Sequence, residues 1–207
     1  MKRLILPVLI LISVEVPGNA QFTKIGGGIA AGTGIYFNNI TDNNNNKSGI
    51  PAIFITGVYE IAPYVHLAPY FTYYFPHISK VSASGGGSTK HVVSCMMFDL
   101  NGRYVINPLK QFEFYGLAGF NITLTGNKLI TEIGETTIRT KESDNAFGLN
   151  LGAGTYIKLT DRLDMSAEAK YILSKYDQFL FNLGFLINVD WLSGHEKTGL
   201  QANGLFR

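Results

Sequence analysis

The chain has 207 residues and a formal net charge of +2; 15% of its residues are charged, 13% are aromatic and 23 are glycine. Soluble domains usually carry about 25% charged residues, so this composition is unusually apolar. The near-neutral charge implies no polyanionic partner such as nucleic acid. The single cysteine, Cys95, cannot form an intramolecular disulfide, and no Cys/His cluster has zinc-site spacing, so we predict no cofactor.

The first twenty residues have the three parts of a secretory signal peptide. A basic start, MKR, precedes the apolar run LILPVLILISV, and small residues at Gly18 and Ala20 precede a cleavage site before Gln21. The alternative is a membrane-anchoring helix, but the apolar run is shorter than the ~20 residues that a spanning helix needs. We therefore predict a signal peptide at 1–20 and a mature chain outside the cytoplasm. That chain is either soluble or spans a membrane as a barrel.

Period-two alternation of apolar and polar residues dominates the mature chain. In QFLFNLGFLINVDW every odd position from Phe179 to Trp191 is a large apolar residue. Such alternation is typical of a strand with two different faces, and no helical pattern of useful length is present. The sequence therefore predicts an all-β protein with eight strands, at 25–37, 53–60, 64–75, 96–106, 112–124, 147–159, 163–173 and 178–191.

The connections between these strands alternate in length. IAP, NPLK and TDR are short, whereas the connections at 38–49, 76–90 and 126–144 are long, and the last is a candidate for a hairpin of its own. Transmembrane barrels keep turns short at the periplasmic end and loops long at the outer end. We therefore predict an eight-stranded antiparallel up-and-down transmembrane β-barrel at 21–191, followed by a short periplasmic tail at 192–207.

The size of the alternating residues indicates which face is outside. The first strand carries Gly26, Gly28 and Gly32 on one face, and such small residues suit the narrow interior of an eight-stranded barrel. The large apolar residues then face outward, where lipid favours them and water does not. The alternative is a soluble secreted lipocalin-like barrel, in which the apolar face lines a ligand cavity.

An outward apolar face places nine charged residues on the inner face. Four are positive and five are negative, and buried charges must be paired to offset their desolvation. We predict a salt-bridge and hydrogen-bond network that plugs a packed polar lumen; the alternative is an ion path through a small porin. The predicted lumen charges are Lys24, Glu60, Asp99, Arg103, Glu113, Lys158, Asp164, Glu168 and Lys170.

The last strand resembles the C-terminal β-signal of small eight-stranded outer-membrane barrels, the porin-like family of the OmpA-barrel and OmpX type. Its pattern is a polar residue, a glycine two positions later, and hydrophobic residues five and seven positions later; Asn182, Gly184, Ile187 and Val189 match it. The resemblance implies a Gram-negative outer membrane location, contact with its lipid and lipopolysaccharide, and recognition by the barrel-assembly machinery. It implies no single activity, so we predict a structural or surface-interaction role through long extracellular loops.

A lipid A-modifying enzyme is the second functional candidate. His77 and Ser79 resemble the His-x-Ser of the outer-membrane lipid A deacylases. Lys80 replaces the asparagine that follows the serine in those enzymes, and no acid is obviously placed to complete the nucleophile–base–acid arrangement that a hydrolase needs. We therefore predict that the protein is not an enzyme.

Overall fold

We describe a computed structural model of the chain, which places residues 21–33, 35–36, 47–48, 51–82, 87–108, 111–133 and 136–189. The predicted signal peptide at 1–20, the four-asparagine run at 43–46 and the predicted tail at 192–207 lie outside these residues. None of the described residues forms a helix long and apolar enough to cross a membrane.

Eight antiparallel strands close into a barrel, as the sequence predicts. The order around the ring is β1-β10-β9-β8-β7-β6-β5-β4, and β4 pairs with β1 to close it. Two short strands, β2 and β3, pair separately between β1 and β4. The bounds are β1 Gln21–Gly32, β2 Ile35–Tyr36, β3 Lys47–Ser48, β4 Pro51–Ala62, β5 Val65–Ser82, β6 Ser88–Pro108, β7 Phe112–Ile133, β8 Thr136–Lys158, β9 Leu163–Ser174 and β10 Gln178–Asn188.

The large apolar residues point outward, so the barrel is inverted relative to a soluble one. On β10, Phe181 is 56% exposed and Phe185 is 53% exposed, whereas Leu180, Asn182 and Leu186, at the alternate positions, are buried. The same alternation of burial runs along β4 and β9. An apolar outer surface of this kind is favourable in lipid and unfavourable in water, which fits a membrane barrel.

Four strands extend well beyond the predicted limits. The sequence predicts strand ends near 75, 96, 124 and 147, but pairing between β5 and β6 continues to Ser82 and Ser88, and pairing between β7 and β8 continues to Ile133 and Thr136. The segments predicted as connections at 76–90 and 126–144 are therefore largely strand, and the hairpin suggested for the second is present. The physical reason is that the β-branched residues in these segments favour cross-strand pairing despite the polar residues around them.

The two ends of the barrel differ. At one end, which we call the turn end, the connections 63–64, 109–111 and 159–162 are short. The start of β1 at Gln21 and the end of β10 at Asn188 also lie there. At the extension end, β5 to β8 project as a four-stranded panel beyond the other strands. These four strands have 18, 21, 22 and 23 residues, whereas β1, β4, β9 and β10 have 12, 12, 12 and 11.

The interior is filled in layers that can be followed along β6. From the turn end, its buried residues run from apolar Val105 through polar Arg103, Asn101 and Asp99 to apolar positions beginning at Met97. One apolar cluster lies on each side of the polar layer. The expected polar lumen is thus partly apolar, because residues such as Phe54, Ile172, Leu180 and Leu186 occupy inward positions.

An arginine at the middle of the outer surface tests this orientation. Leu151 and Leu159 on and after β8 are 54% and 49% exposed, but Leu151 lies mid-strand and Leu159 in the turn. We expect Leu151→Arg to lower the free energy of unfolding by about 2–4 kcal/mol and Leu159→Arg by about 0–1 kcal/mol, because the penalty depends on depth in the bilayer. Urea titration of the barrel folded into lipid vesicles measures both, and equal effects would contradict the assigned lipid face.

Candidate functional site

The polar layer is built around a buried ion pair between β6 and β9. Arg103 Nη2 lies 2.5 Å from Glu168 Oε2, and both side chains are shielded from solvent. The Arg103 guanidinium also donates to the hydroxyls of Tyr70 and Tyr156. Its Cζ atom lies 4.6 Å from the ring centroid of Tyr115, a geometry that adds a cation–π attraction. Side chains from four strands therefore surround one guanidinium.

Glu168 accepts several hydrogen bonds in addition to the ion pair. The hydroxyls of Tyr70 and Tyr115 each donate to Glu168 Oε2 at 3.1 Å, and Asn182 Nδ2 donates to Glu168 Oε1 at 3.2 Å. A buried carboxylate without such donors would be strongly destabilising, because it has lost its water. These contacts tie β9 to β5, β7 and β10 across the interior.

A second ion pair lies next to the first. Lys170 Nζ donates to Asp99 Oδ2 at 2.7 Å, and it lies 3.9 Å from Glu168 Oε1. The other carboxylate oxygen, Asp99 Oδ1, accepts from Asn121 Nδ2 at 2.6 Å and from Asn150 Nδ2 at 2.9 Å. We call Asp99, Arg103, Glu168 and Lys170 the central charge cluster; its formal charges cancel.

A glycine makes room for one of the tyrosines. A Cβ atom at Gly154 on β8 would lie 2.5 Å from Tyr115 Oη and 2.6 Å from its Cζ, so the Tyr115 ring occupies the space that any larger residue would need. The small inward residues predicted from the sequence therefore do more than fit a narrow lumen. At this position the missing side chain lets an aromatic ring reach the Arg103–Glu168 pair.

A smaller group of charges lies toward the turn end. Lys24 Nζ donates to Asp164 Oδ2 at 2.6 Å and lies 4.0 Å from Glu113 Oε2. The same ammonium lies 4.4 Å from the ring centroid of Tyr156, whose hydroxyl contacts Arg103. Tyr156 thus links this group to the central charge cluster.

Two of the predicted lumen charges do not join either group. Lys158 is exposed at the end of β8 and pairs at 2.9 Å with Asp161 in the following turn, and this hydrogen bond lowers the pKa of Asp161. Glu60 is half-buried at the turn end, where its register partner is His66. Alternation assigns a face to each residue, but whether it lies inside the lumen or at its rim depends on where the strand ends.

The neutral members of the site are not among the residues predicted from the sequence. The hydroxyls of Tyr70, Tyr115 and Tyr156 and the amides of Asn121 and Asn150 satisfy the buried charges. Each lies at an inward position on its strand. In the sequence, they could have been identified as polar residues that share the inward face with the charged ones. The sequence does not predict which of them hydrogen-bond to a charged residue on a non-adjacent strand, as Asn150 does to Asp99 and Tyr115 to Glu168.

The predicted assembly-signal residues lie on both faces of β10. Asn182 and Gly184 are buried, Ile187 is 51% exposed, and the backbone N–H of Val189 donates to the carbonyl of Thr23 on β1 at 2.8 Å. Gly184 is the register partner of Gly28 in the seam between the first and last strands. This seam closes the barrel; a role of these residues in assembly remains a prediction.

The His77–Ser79 pair lies on the extended part of β5. His77 is in register with buried Val93, and Ser79 with buried His91. The backbone register therefore assigns His77 to the inner side of β5, away from the lipid-facing side. Among the residues that the structure places, no three His, Cys, Asp or Glu side chains are grouped to hold a metal ion.

Removing one partner of the Arg103–Glu168 pair should destabilise the barrel strongly. We expect Arg103→Met to lower the free energy of unfolding by about 3–5 kcal/mol, because Glu168 keeps a buried charge without its partner. The double variant Arg103→Met/Glu168→Met should lose less than Arg103→Met alone. Urea titration in lipid vesicles, with folded protein scored by heat-modifiable gel migration, measures these effects.

Lys158→Ala is the matched control, because its ion pair is exposed and such pairs contribute about 0–1 kcal/mol. An Arg103→Met variant as stable as Lys158→Ala would contradict the buried pair.

Comparison with known proteins agrees with this geometry. Residues 4–191 match the family described as "Outer membrane protein beta-barrel domain". The structure of OprG from Pseudomonas aeruginosa is similar, with a TM-score of 0.54, 14% identity, and coverage of 84% of this chain and 99% of that one. Ail from Yersinia pestis gives a TM-score of 0.47 and 16% identity over 80% of this chain and 97% of its own. No curated protein sequence matches the chain.

At these identities, the likeness to OprG supports the fold alone. The family match covers most of the sequence and agrees with the eight-stranded ring and its outward apolar face. The chain belongs to the outer membrane protein β-barrel domain family, and its location is the Gram-negative outer membrane.

Proposed function

We propose that the protein acts at the cell surface by presenting the β5–β8 panel to an external or membrane partner, and that it does not conduct solutes. The observation that carries this proposal is the combination of a filled interior with four strands that continue past the membrane. The barrel then serves as a rigid anchor, and the panel is the part available for interaction.

The filled interior supports the part of the proposal that excludes transport. An eight-stranded barrel has an interior just wide enough for side chains. Here Arg103, Lys170, Tyr74 and Met97 are at most 1% exposed, and the apolar clusters lie on either side of the charges. A charge-lined ion path would instead leave such groups in contact with water. The small-porin alternative therefore has weaker support.

The panel supports the part of the proposal that concerns surface interaction. A transmembrane strand needs about 9–11 residues. The 11–12 residues of β1, β4, β9 and β10 meet that length, whereas β7 and β8, with 22 and 23, have roughly twice as many. The additional residues cannot face lipid core, because the outward positions on β8 change from apolar at Phe147 to polar at Asn145 and Ser143.

The lipid A deacylase alternative has less support. A deacylase must bring its nucleophile to an acyl chain, which lies outside the barrel in the membrane. The register assigns His77 to the inner side of β5, and both His77 and Ser79 belong to the part of the strand beyond the lipid-facing residues. We therefore propose that the protein is not an enzyme.

Epitope insertion tests the orientation on which this proposal depends. A short peptide epitope inserted between residues 134 and 135, at the tip of the β7–β8 hairpin, should be detected by antibody on intact cells. The same epitope inserted between residues 110 and 111, in the β6–β7 connection at the turn end, should be detected only after the outer membrane is permeabilised. The reverse pattern would place the panel in the periplasm and refute a surface role.

A further inference from the structure

The outer side of the β5–β8 panel carries a concentration of positive charge that the net charge of +2 does not reveal. Lys90, Lys128 and Lys141 lie six residues beyond the exposed apolar residues Met96, Ile122 and Phe147 on β6, β7 and β8, respectively, so they share the outward side. Lys80 on β5 is the register partner of Lys90 and joins them. We call the outward residues Lys80, Lys90, Lys128, Arg139 and Lys141 the cationic face.

The lysines of this face are placed directly opposite one another. Lys80 pairs in register with Lys90, and Lys128 pairs with Lys141. Like charges at opposed positions on neighbouring strands repel and destabilise the pairing. Within the described residues, no carboxylate lies within ion-pairing distance of these cations. The repulsion would be relieved by an anion that the described residues do not supply.

The acidic residues of the panel do not compensate this charge. Glu132 is outward but lies nearer the tip, where its Oε2 accepts from Ser88 Oγ at 3.3 Å. Glu142 follows Lys141 and alternates to the inner side, in register with buried Asn127. The outward side therefore stays cationic between the lipid-facing residues and the tip.

A hollow of about 400 Å³ lies beside Lys128 and Lys141. Its floor is Gly126, flanked in register by Ser94 on β6 and Ser143 on β8. A Cβ atom at Gly126 would lie 2.9 Å from Ser94 Oγ, so the glycine keeps this space open. Val92, Asn127 and Glu142 complete its lining, and the Ser94 hydroxyl donates to the Gly126 carbonyl at 3.3 Å. The two lysines and the Ser143 hydroxyl remain to supply the positive charge and the hydrogen bonds that a phosphate group accepts.

The height of this hollow matches the headgroup region of a bilayer. Lys128 lies four residues beyond outward Leu124 on β7. At ~3.3 Å per residue and a tilt of ~45°, that distance is about 9 Å along the membrane normal. A bilayer with a core of ~30 Å and a total thickness of ~40–45 Å has headgroup layers of about 5–8 Å on each side. Lys128 therefore lies just beyond this layer, and a lysine side chain is long enough for its ammonium group to reach back into it.

We propose that the cationic face binds the phosphate groups of phosphorylated glycolipids in the surrounding outer leaflet, with Lys128 and Lys141 contacting a phosphate above the Gly126 hollow. The proposal rests on the outward orientation in the proposed function and names the partner of the panel. A membrane source is favoured over a soluble polyanion because the lysines lie directly above the lipid-facing residues and point away from the barrel axis. Attraction between surface lysines and anionic lipid is strong only within a Debye length, which this position satisfies.

Binding to lipid A tests the proposal directly. The purified full-length barrel in uncharged detergent is titrated with bisphosphorylated lipid A and with the same glycolipid after removal of its phosphates, and binding is followed by native mass spectrometry. We expect the double variant Lys128→Gln/Lys141→Gln to bind the phosphorylated form at least tenfold more weakly than wild type. The dephosphorylated form should bind both proteins equally.

Lys158→Gln is the matched control, because it removes an exposed lysine at the turn end. It should bind phosphorylated lipid A as wild type does, and heat-modifiable migration should show that all variants are folded. Equal affinity of wild type and the double variant for phosphorylated lipid A would overturn the proposal. Tighter binding of dextran sulfate than of lipid A would contradict the proposal that the ligand of the cationic face is a membrane lipid. Binding in detergent does not depend on how the barrel is oriented in the cell. Epitope labelling at 134 tests the surface role, and the lipid A titration tests this inference, so each can fail without the other.

Discussion

The arrangement of the whole barrel depends on one constraint, the need to satisfy a guanidinium and a carboxylate that are enclosed in a narrow interior. Arg103 and Glu168 are 2.5 Å apart and shielded from water, so every remaining donor and acceptor around them must come from the protein. Three tyrosine hydroxyls and one asparagine amide from the surrounding strands bond to this pair, and among the described residues Arg103 Nε has no hydrogen-bond partner. Gly154 leaves room for one of these rings, and the neighbouring Lys170–Asp99 pair is also neutral.

The same interior explains why the interior of the barrel and its extended strands have different roles. Because the charges are neutralised in the middle and apolar clusters lie on both sides, the lumen serves to hold the strands together. This filled interior agrees with the proposed function, in which the barrel does not conduct solutes. The features available for interaction lie outside, on the lipid-facing surface and on the extended panel of β5 to β8. The panel continues the strands of the rigid barrel, so its lysines are held at a fixed height above the membrane, in contrast to the mobility expected of an irregular loop.

Much of the fold could be predicted from sequence because alternation is a local property. The period-two pattern in residues 178–191 identifies the outward phenylalanines of β10 correctly, and the inward charges Asp99, Arg103, Glu168 and Lys170 do lie together. What alternation does not encode is where pairing stops, so the extensions of β5 to β8 were missed and Lys158, at a strand end, proved to be exposed. It also does not encode contacts between non-adjacent strands, which is why the tyrosines around Arg103 were not identified.

The closed interior is tested most directly at the single cysteine. Cys95 points inward on β6 and is 1% exposed, so no mutation is needed to introduce a probe. The barrel folded in lipid vesicles is treated with a membrane-impermeant maleimide, and the modified fraction is measured by mass. We predict no modification of the folded barrel and complete modification after unfolding in denaturant. Rapid modification of the folded barrel would show that water and solutes enter the lumen, and it would contradict an interior sealed by packing and paired charge.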